Sequence, residues 1–236
     1  MRLNQFIAES GMCSRREADR FIEAGKVTVN GTVAVLGVQV DENDEVRVSG
    51  KIVRKEPERI CILVNKPIGI TSTTNKEDGT NIVDFVKHPK RLFTVGRLDK
   101  DSMGAILLTN DGAIVNKLLR SENEHKKTYV VQVDKLITAE FLEKMSAGVK
   151  IYNPEQNVYV TTKPCKLKQL KKNVFEIILT QGYNRQIRRM CEELGFKVVS
   201  LNRTKFLFLT LEGLSYGSFR NLTKREMEKL DEMIKD

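Results

Sequence analysis

One interruption constrains this 236-residue chain more than any other feature. Over residues 49–59, SGKIVRKEPER, charge rises, apolar content falls and a proline appears, which is the composition of a linker. The chain is therefore expected to fold as two units, a small one over 1–48 and a larger one over 60–236, each with its own core. An apolar content of 40% supplies the material.

The first unit reads as two short helices and a hairpin. In CSRREADRFIEAG, Ser14 and Glu17 have capping-box spacing, Ala18, Phe21 and Ile22 form an apolar face, and Gly25 supplies the stop. VTVNGTVAV then alternates around Asn30-Gly31, a strong hairpin signal. A unit this small buries little, which leaves an exposed face carrying Arg2, Arg15, Arg16, Arg20 and Lys26. Arg15 and Arg16 fall in the first turn of a helix, where the macrodipole disfavours cations; a phosphate partner or simple solvation would each account for them.

In the second unit, ICILVNKPIGITSTT reads as a buried strand running into a Lys66-Pro67 turn, and TNIVDFV as a short helix. A loop, the strand AILLT, the turn NDG and the helix AIVNKLLRS follow. Strands at KTYVVQV, NVFEIILT and FKVVSLN alternate with helices at TAEFLEKMSAG, NRQIRRMCEEL and TKREMEKLDEMI. Without a strict βαβ rhythm, the pattern predicts an α+β fold. No run of about 18 apolar residues occurs, and the charged opening lacks the apolar core of a signal peptide, so a cytoplasmic monomer with no membrane partner is expected. The four cysteines are scattered, and the two histidines form no metal-ligand spacing, which predicts free thiols and no metal site.

The formal charge is +9, and residues 163–205 alone carry eleven Lys or Arg against three Glu. Such a concentration suits a polyanion, although a solvated lysine-rich face would look the same. Within NRQIRRMCEELG, Ile187, Cys191 and Leu194 make a buried stripe, while Arg185, Arg188 and Arg189 crowd the helix start against the dipole. They suit a phosphate rake, or one of them holds a buried carboxylate. In GRLDKDS, Asp99 and Asp101 would share a face of an extended segment, as paired carboxylates for acid/base work do. Asp99 acting alone, with Asp101 capping the next turn, and an Asp99–Arg97 ion pair at a strand end are equally compatible with the spacing. The lack of tryptophan and the positive charge oppose a sugar cleft.

GRLDKDSMGAILLTNDG resembles the catalytic motif of the pseudouridine synthases of the RsuA type, and NKPIG, KTYVVQV and QGYNRQIRRMCEELG resemble the family's other motifs in order. RLNQFIAESGMCSRREADRFIEAGKVTVNG resembles the S4 RNA-binding domain. GRLDKDS, STT with NIVDFV, and SAGV are most similar to the RluF-like branch, with Ser102 and Ala105 departing from the usual threonine and leucine.

The resemblance implies an S4 domain linked to a synthase domain on a largely antiparallel sheet, isomerising a uridine of large-subunit ribosomal RNA without cofactor or metal. It implies Asp99 as the catalytic carboxylate, Arg188 as its ion-pair partner, and Tyr129 as the ring that stacks on uracil and takes the C5 proton. Arg97 would enter the RNA stack beside the flipped nucleotide. Lys66, with Pro67, would shape the cleft wall against the RNA. Arg185, Arg189 and the basic segment would track the backbone, and Arg2, Arg15, Arg16 and Lys26 would dock a neighbouring stem. A noncatalytic RNA-binding or ribosome-assembly factor that kept the fold is the rival reading.

Overall fold

The computed structural model describes residues 1–54, 58–75, 77–119 and 125–235. The first unit packs helices α1 (Leu3–Glu9) and α2 (Arg15–Glu23) on a small sheet. The Ser14 hydroxyl accepts from Glu17 N while the Glu17 side chain accepts from Ser14 N, so both halves of the capping box form. Strands β1 (Val27–Val29) and β2 (Thr32–Val33) close through Asn30 and Gly31, both at positive φ, as a two-residue hairpin with right-handed strand twist requires.

Two further strands, β3 (Val46–Val48) and β4 (Lys51–Ile52), complete an antiparallel sheet of order β2-β1-β3-β4. They correct the expected boundary at 48. Residues 49–53 form the returning arm of a hairpin, and Val53 lies in the same core as Leu3, Ile7, Ala18, Ile22, Val27 and Val46. The polar, Gly-containing composition at 49–50 marks a turn inside the unit; the remainder of the expected linker falls partly on 55–57, outside the described residues.

The second unit runs β5 (Cys61–Lys66), α3 (Ile82–Val86), β6 (Phe93–Val95), β7 (Met103–Thr109), α4 (Gly112–Leu119), β8 (Lys127–Val133), α5 (Ala139–Ala147), β9 (Lys150–Asn153), β10 (Val158–Thr161), β11 (Lys166–Lys171), β12 (Val174–Leu179), α6 (Gln186–Glu193), β13 (Val198–Phe206), β14 (Leu209–Thr210), β15 (Phe219–Asn221) and α7 (Lys224–Ile234). Its main sheet has the order β11-β12-β8-β13-β7-β5-β15, with β14 on β13 and β6 on β7, and among the described residues only its β13–β7 strand pair is parallel. The fold is α+β.

Strands β5 and β7 are covered on both faces, which is why AILLT and CILV read as unbroken apolar runs. Leu63, Ala105 and Leu107 pack with Ile114, Leu118 and Leu230 from α4 and α7. Ile62, Val64, Ile106 and Leu108 pack on the other face with Ile82 and Val86 from α3. A separate core under β8 and β12 joins Val131, Phe175 and Ile177 to Phe141 and Met145 of α5 and to Ile187 and Met190 of α6. Helix α7 starts at a second capping box, Thr223 with Glu226. Arg220 also grips Glu226 in two hydrogen bonds of 2.7 and 2.8 Å, which hold that carboxyl down at about 2.

The parallel β7–β13 contact is tight: Gly104 lies opposite Arg203, and a Cβ on Gly104 would stand 2.3 Å from the Arg203 carbonyl oxygen. Gly31, by contrast, has open space where its Cβ would be. Gly104→Ala is expected to lower stability by at least about 2 kcal/mol, because backbone must move. Gly31→Ala meets only left-handed backbone strain of roughly 1 kcal/mol. Denaturant midpoints compare the two; equal losses would contradict the close approach.

Candidate active site

Asp99 sits on the loop that leads from β6 into β7, and that loop is held through its main chain. The buried Ser72 hydroxyl donates to Leu98 O at 2.8 Å and accepts from Leu98 N at 3.1 Å. Gly69 N donates to Lys100 O, and Ser102 N to Asp99 O. Arg188 Nη2 donates to Asp101 O at 2.9 Å and contacts the Ser102 hydroxyl at 3.3 Å. Arg203, 1% exposed, donates from Nε to Ala105 O at 2.6 Å and from Nη1 to Arg97 O at 3.4 Å, bracketing the loop from both ends. Gly96, at positive φ, turns the chain into this loop.

The Asp99 carboxylate is thereby placed half-buried on the wall of a cavity of about 550 Å³. Tyr129 from β8 and the exposed Arg97 line the same cavity, as do Ser102, Arg185 and Arg203. Tyr129 is braced from behind, packing against cores on both sides of it, and lies opposite Ile177 and Arg203 in the sheet. Asp99, Tyr129 and Arg97 thus share one concave space, which Glu155 and Tyr183 also line, an arrangement that suits acid/base work.

Asp101 is not a second free carboxylate. Arg185 takes it in a fork of 3.1 and 2.9 Å, and Arg188 Nη2 lies 3.3 Å from it. The Arg185 hydrogen bonds, with the Arg188 charge behind them, outweigh partial burial and hold the Asp101 carboxyl below the usual range.

The expected Arg188–Asp99 ion pair is therefore corrected: Arg188 is buried against Asp101, and Arg185 stands nearest Asp99, at 3.8 Å. Arg185 occupies the N-cap of α6 in left-handed conformation, which swings its side chain off the helix and back across the loop. Among the described residues no ion pair joins Arg97 to Asp99.

The three arginines also do not form a rake. Arg189 folds back and donates to Asn184 O at 3.1 Å, and of the three only Arg185 lines the cavity among the described residues. Lys66 was expected against RNA but is fully buried, donating to Pro67 O at 3.0 Å and Ile70 O at 2.8 Å. Its depth pushes the ammonium down to about 8, against the opposing pull of Asp99 and Asp101. No phosphate can reach it without the end of β5 opening. Arg2, Arg15, Arg16 and Lys26 are all exposed on the first unit.

Arg203 escaped the sequence reading, where it counted as one more cation of the basic segment. Its signal was positional: Leu201 and Arg203 are two apart in a strand and both point inward. Among the described residues no three His, Cys, Asp or Glu side chains are placed to hold a metal ion, and no helix is long and apolar enough to cross a membrane.

The chain thus joins a helix-and-hairpin module to a mixed sheet whose aspartate-bearing loop stands over an open cavity. Residues 60–193 match the RNA pseudouridylate synthase family and residues 1–46 the S4 domain. The chain belongs to the RNA pseudouridylate synthases. It is 50% identical to the dual-specificity RNA pseudouridine synthase RluF of Escherichia coli, over 100% of this chain and 80% of the relative. Identity to the ribosomal large subunit pseudouridine synthase B of Bacillus subtilis is 39%, over 97% and 95%. A crystal structure of a pseudouridylate synthase superposes with a TM-score of 0.70 at 30% identity, covering 98% of this chain and 99% of that one.

Asp101→Asn is expected to cost about 1 kcal/mol at neutral pH, the partly exposed pair being screened by solvent. Since the folded carboxyl titrates below its ordinary 3.8, its contribution is present above that value and is lost as pH falls further. Urea midpoints of wild type and variant should differ at neutral pH and converge in acid; a constant difference would show that charge is not the cause.

Proposed function

We propose that this chain isomerises a uridine of large-subunit ribosomal RNA to pseudouridine, with Asp99 as the carboxylate that works on C1′. The observation that carries this reading is the convergence of Asp99, Tyr129 and Arg97 on one cavity, on a loop fixed through its backbone. The names of the relatives from B. subtilis and E. coli support the target, the first naming the large ribosomal subunit and the second a dual specificity.

The reaction breaks N1–C1′, turns the uracil and joins C5 to C1′, with the C5 proton leaving and N1 gaining one. Electrons balance without an oxidant, and nothing is hydrolysed, so the chemistry calls for no cofactor. The carboxylate either attacks C1′ or assists loss of a ribose proton to give a glycal. Tyr129 stacks on the uracil and takes the C5 proton. A uridine stacked in RNA must first be extruded, at a cost of a few kcal/mol, and Arg97 fills the space it leaves. The exposed cations of the S4 unit hold a neighbouring stem. A factor that only binds RNA would have no use for an aspartate set so firmly at a cavity wall.

Asp99→Asn is expected to abolish turnover while RNA affinity stays within a fewfold, since volume is conserved. Mapping pseudouridines in large-subunit RNA by carbodiimide adduct and primer extension, with wild type and variant, reads both target and role. Near-wild-type turnover would remove Asp99 from the chemistry.

Arg97→Ala separates stacking from orientation. If Arg97 replaces the extruded base, the variant's deficit in single-turnover rate should shrink when the target uridine sits in a mismatch or a single strand, where unstacking costs less. Equal deficits on structured and unstructured RNA would assign Arg97 to orienting Asp99 instead.

A further inference from the structure

Arg203, His125 and Gln181 line the cavity that holds Asp99, and each keeps one buried nitrogen, Nη2, Nε2 and Nε2 respectively, without a hydrogen-bond partner among the described residues. Lys127 lines it too, its Nζ 3.9 Å from where a Cβ would stand on Gly182, the neighbour of Gln181. The group is electrostatically contiguous. Burial first and the Arg203 charge second hold Lys127 below the usual lysine range, and burial with Lys127 does the same to His125.

Among the described residues no side chain or backbone group pairs with these nitrogens. Arg97, Lys127, Arg185 and Arg203, among the described residues, line the cavity with the carboxylates Asp99 and Glu155, and the Arg185 fork is already taken by Asp101. A buried polar nitrogen left without a partner is costly, and two neighbouring cations repel as well, so the cluster opposes folding. Groups of that kind persist where a ligand completes them. The ligand's chemistry follows from the set. A uracil carbonyl would answer one or two N–H groups and neither full charge, whereas a phosphodiester offers two anionic oxygens with lone pairs for several donors.

We propose that Lys127, His125 and Gln181, with the buried Arg203 charge behind them, form a phosphate subsite within this cavity, taking a backbone phosphate adjoining the extruded nucleotide. The proposal rests on the reading that the cavity admits a flipped uridine. It gives the reaction an anchor separate from the aspartate: holding the phosphate fixes the ribose, so that C1′ stays in place while the base turns.

The test compares full-length wild type, Lys127→Gln and Lys127→Arg by two binding readouts. One is the melting temperature in millimolar inorganic phosphate against chloride at matched ionic strength. The other is affinity for a single-stranded oligouridylate across a salt series. Without ligand, Lys127→Gln should melt at or above the wild-type temperature, because a like-charge contact has gone. It should also lose the phosphate-dependent rise, and its slope of log K against log salt should be shallower by roughly 0.7 for one lost phosphate contact. Lys127→Arg should retain both.

Loss of the phosphate-dependent rise with parallel salt slopes would assign the subsite to a free phosphate and overturn the RNA assignment. A lower melting temperature with both binding readouts intact would make Lys127 structural and overturn the subsite altogether. Neither readout depends on turnover, so an enzyme that shows these shifts but forms no pseudouridine defeats the functional reading and keeps the subsite.

Discussion

The rest of the site depends on the approach of β7 to β13 at Gly104. A strand pair this close leaves no room for a side chain on one partner, and the space saved lets Arg203 reach back across the sheet. Its guanidinium is buried at a cost that only full use of its donors offsets. Two carbonyl oxygens and the Phe206 ring, 4.8 Å away, meet part of that need. The residue that defines the parallel β13–β7 pairing is thus also the residue that sets the ends of the Asp99 loop. Fold and site are fixed by the same contact, which is why neither can be varied alone at Gly104.

How much of this was legible follows from where the causes lie. The capping box at Ser14, the Asn30-Gly31 hairpin and the buried strand β5 are local or periodic signals, and all appear as read. Strand β11, KLKQLK, is an edge strand whose exposed lysines hide its β character while protecting its free edge, so composition points to a solvated loop. Strands β9 and β10 place few residues in the core, Ile151 being the fully buried one, and periodicity has little to work on. At the site, motif resemblance brought Asp99, Tyr129 and Arg97 to one place. It did not resolve which arginine meets which aspartate, since that depends on the left-handed turn at Arg185, a conformation no spacing rule announces.

Net charge also overstated the cations available to RNA. Of the basic residues between 163 and 205, Arg185, Arg188, Arg189 and Arg203 have partners within the protein. The exposed lysines of β11 remain on the surface. Charge density in a sequence counts both populations alike, although the first organises the interior and only the second is free to displace counterions. Lys66 belongs with the first: its ammonium is tied to two backbone carbonyls, and what it contributes is the shape of the turn beneath the loop.

The spacing of two aspartates in GRLDKDS then has a division of labour behind it. Asp101 absorbs the fork of Arg185 and the edge of Arg188, and in doing so ties α6 to the loop. Asp99 is positioned by bonds to the main chain on either side of it, its own carboxylate touching Arg185 only at 3.8 Å. For the role proposed for Asp99, holding the loop through its main chain leaves the side-chain oxygens uncommitted. A carboxylate already locked in a short two-point ion pair would have to break that pair before approaching carbon, and the lost interaction would appear in the barrier. Placing the strong pair two residues away provides rigidity without that penalty.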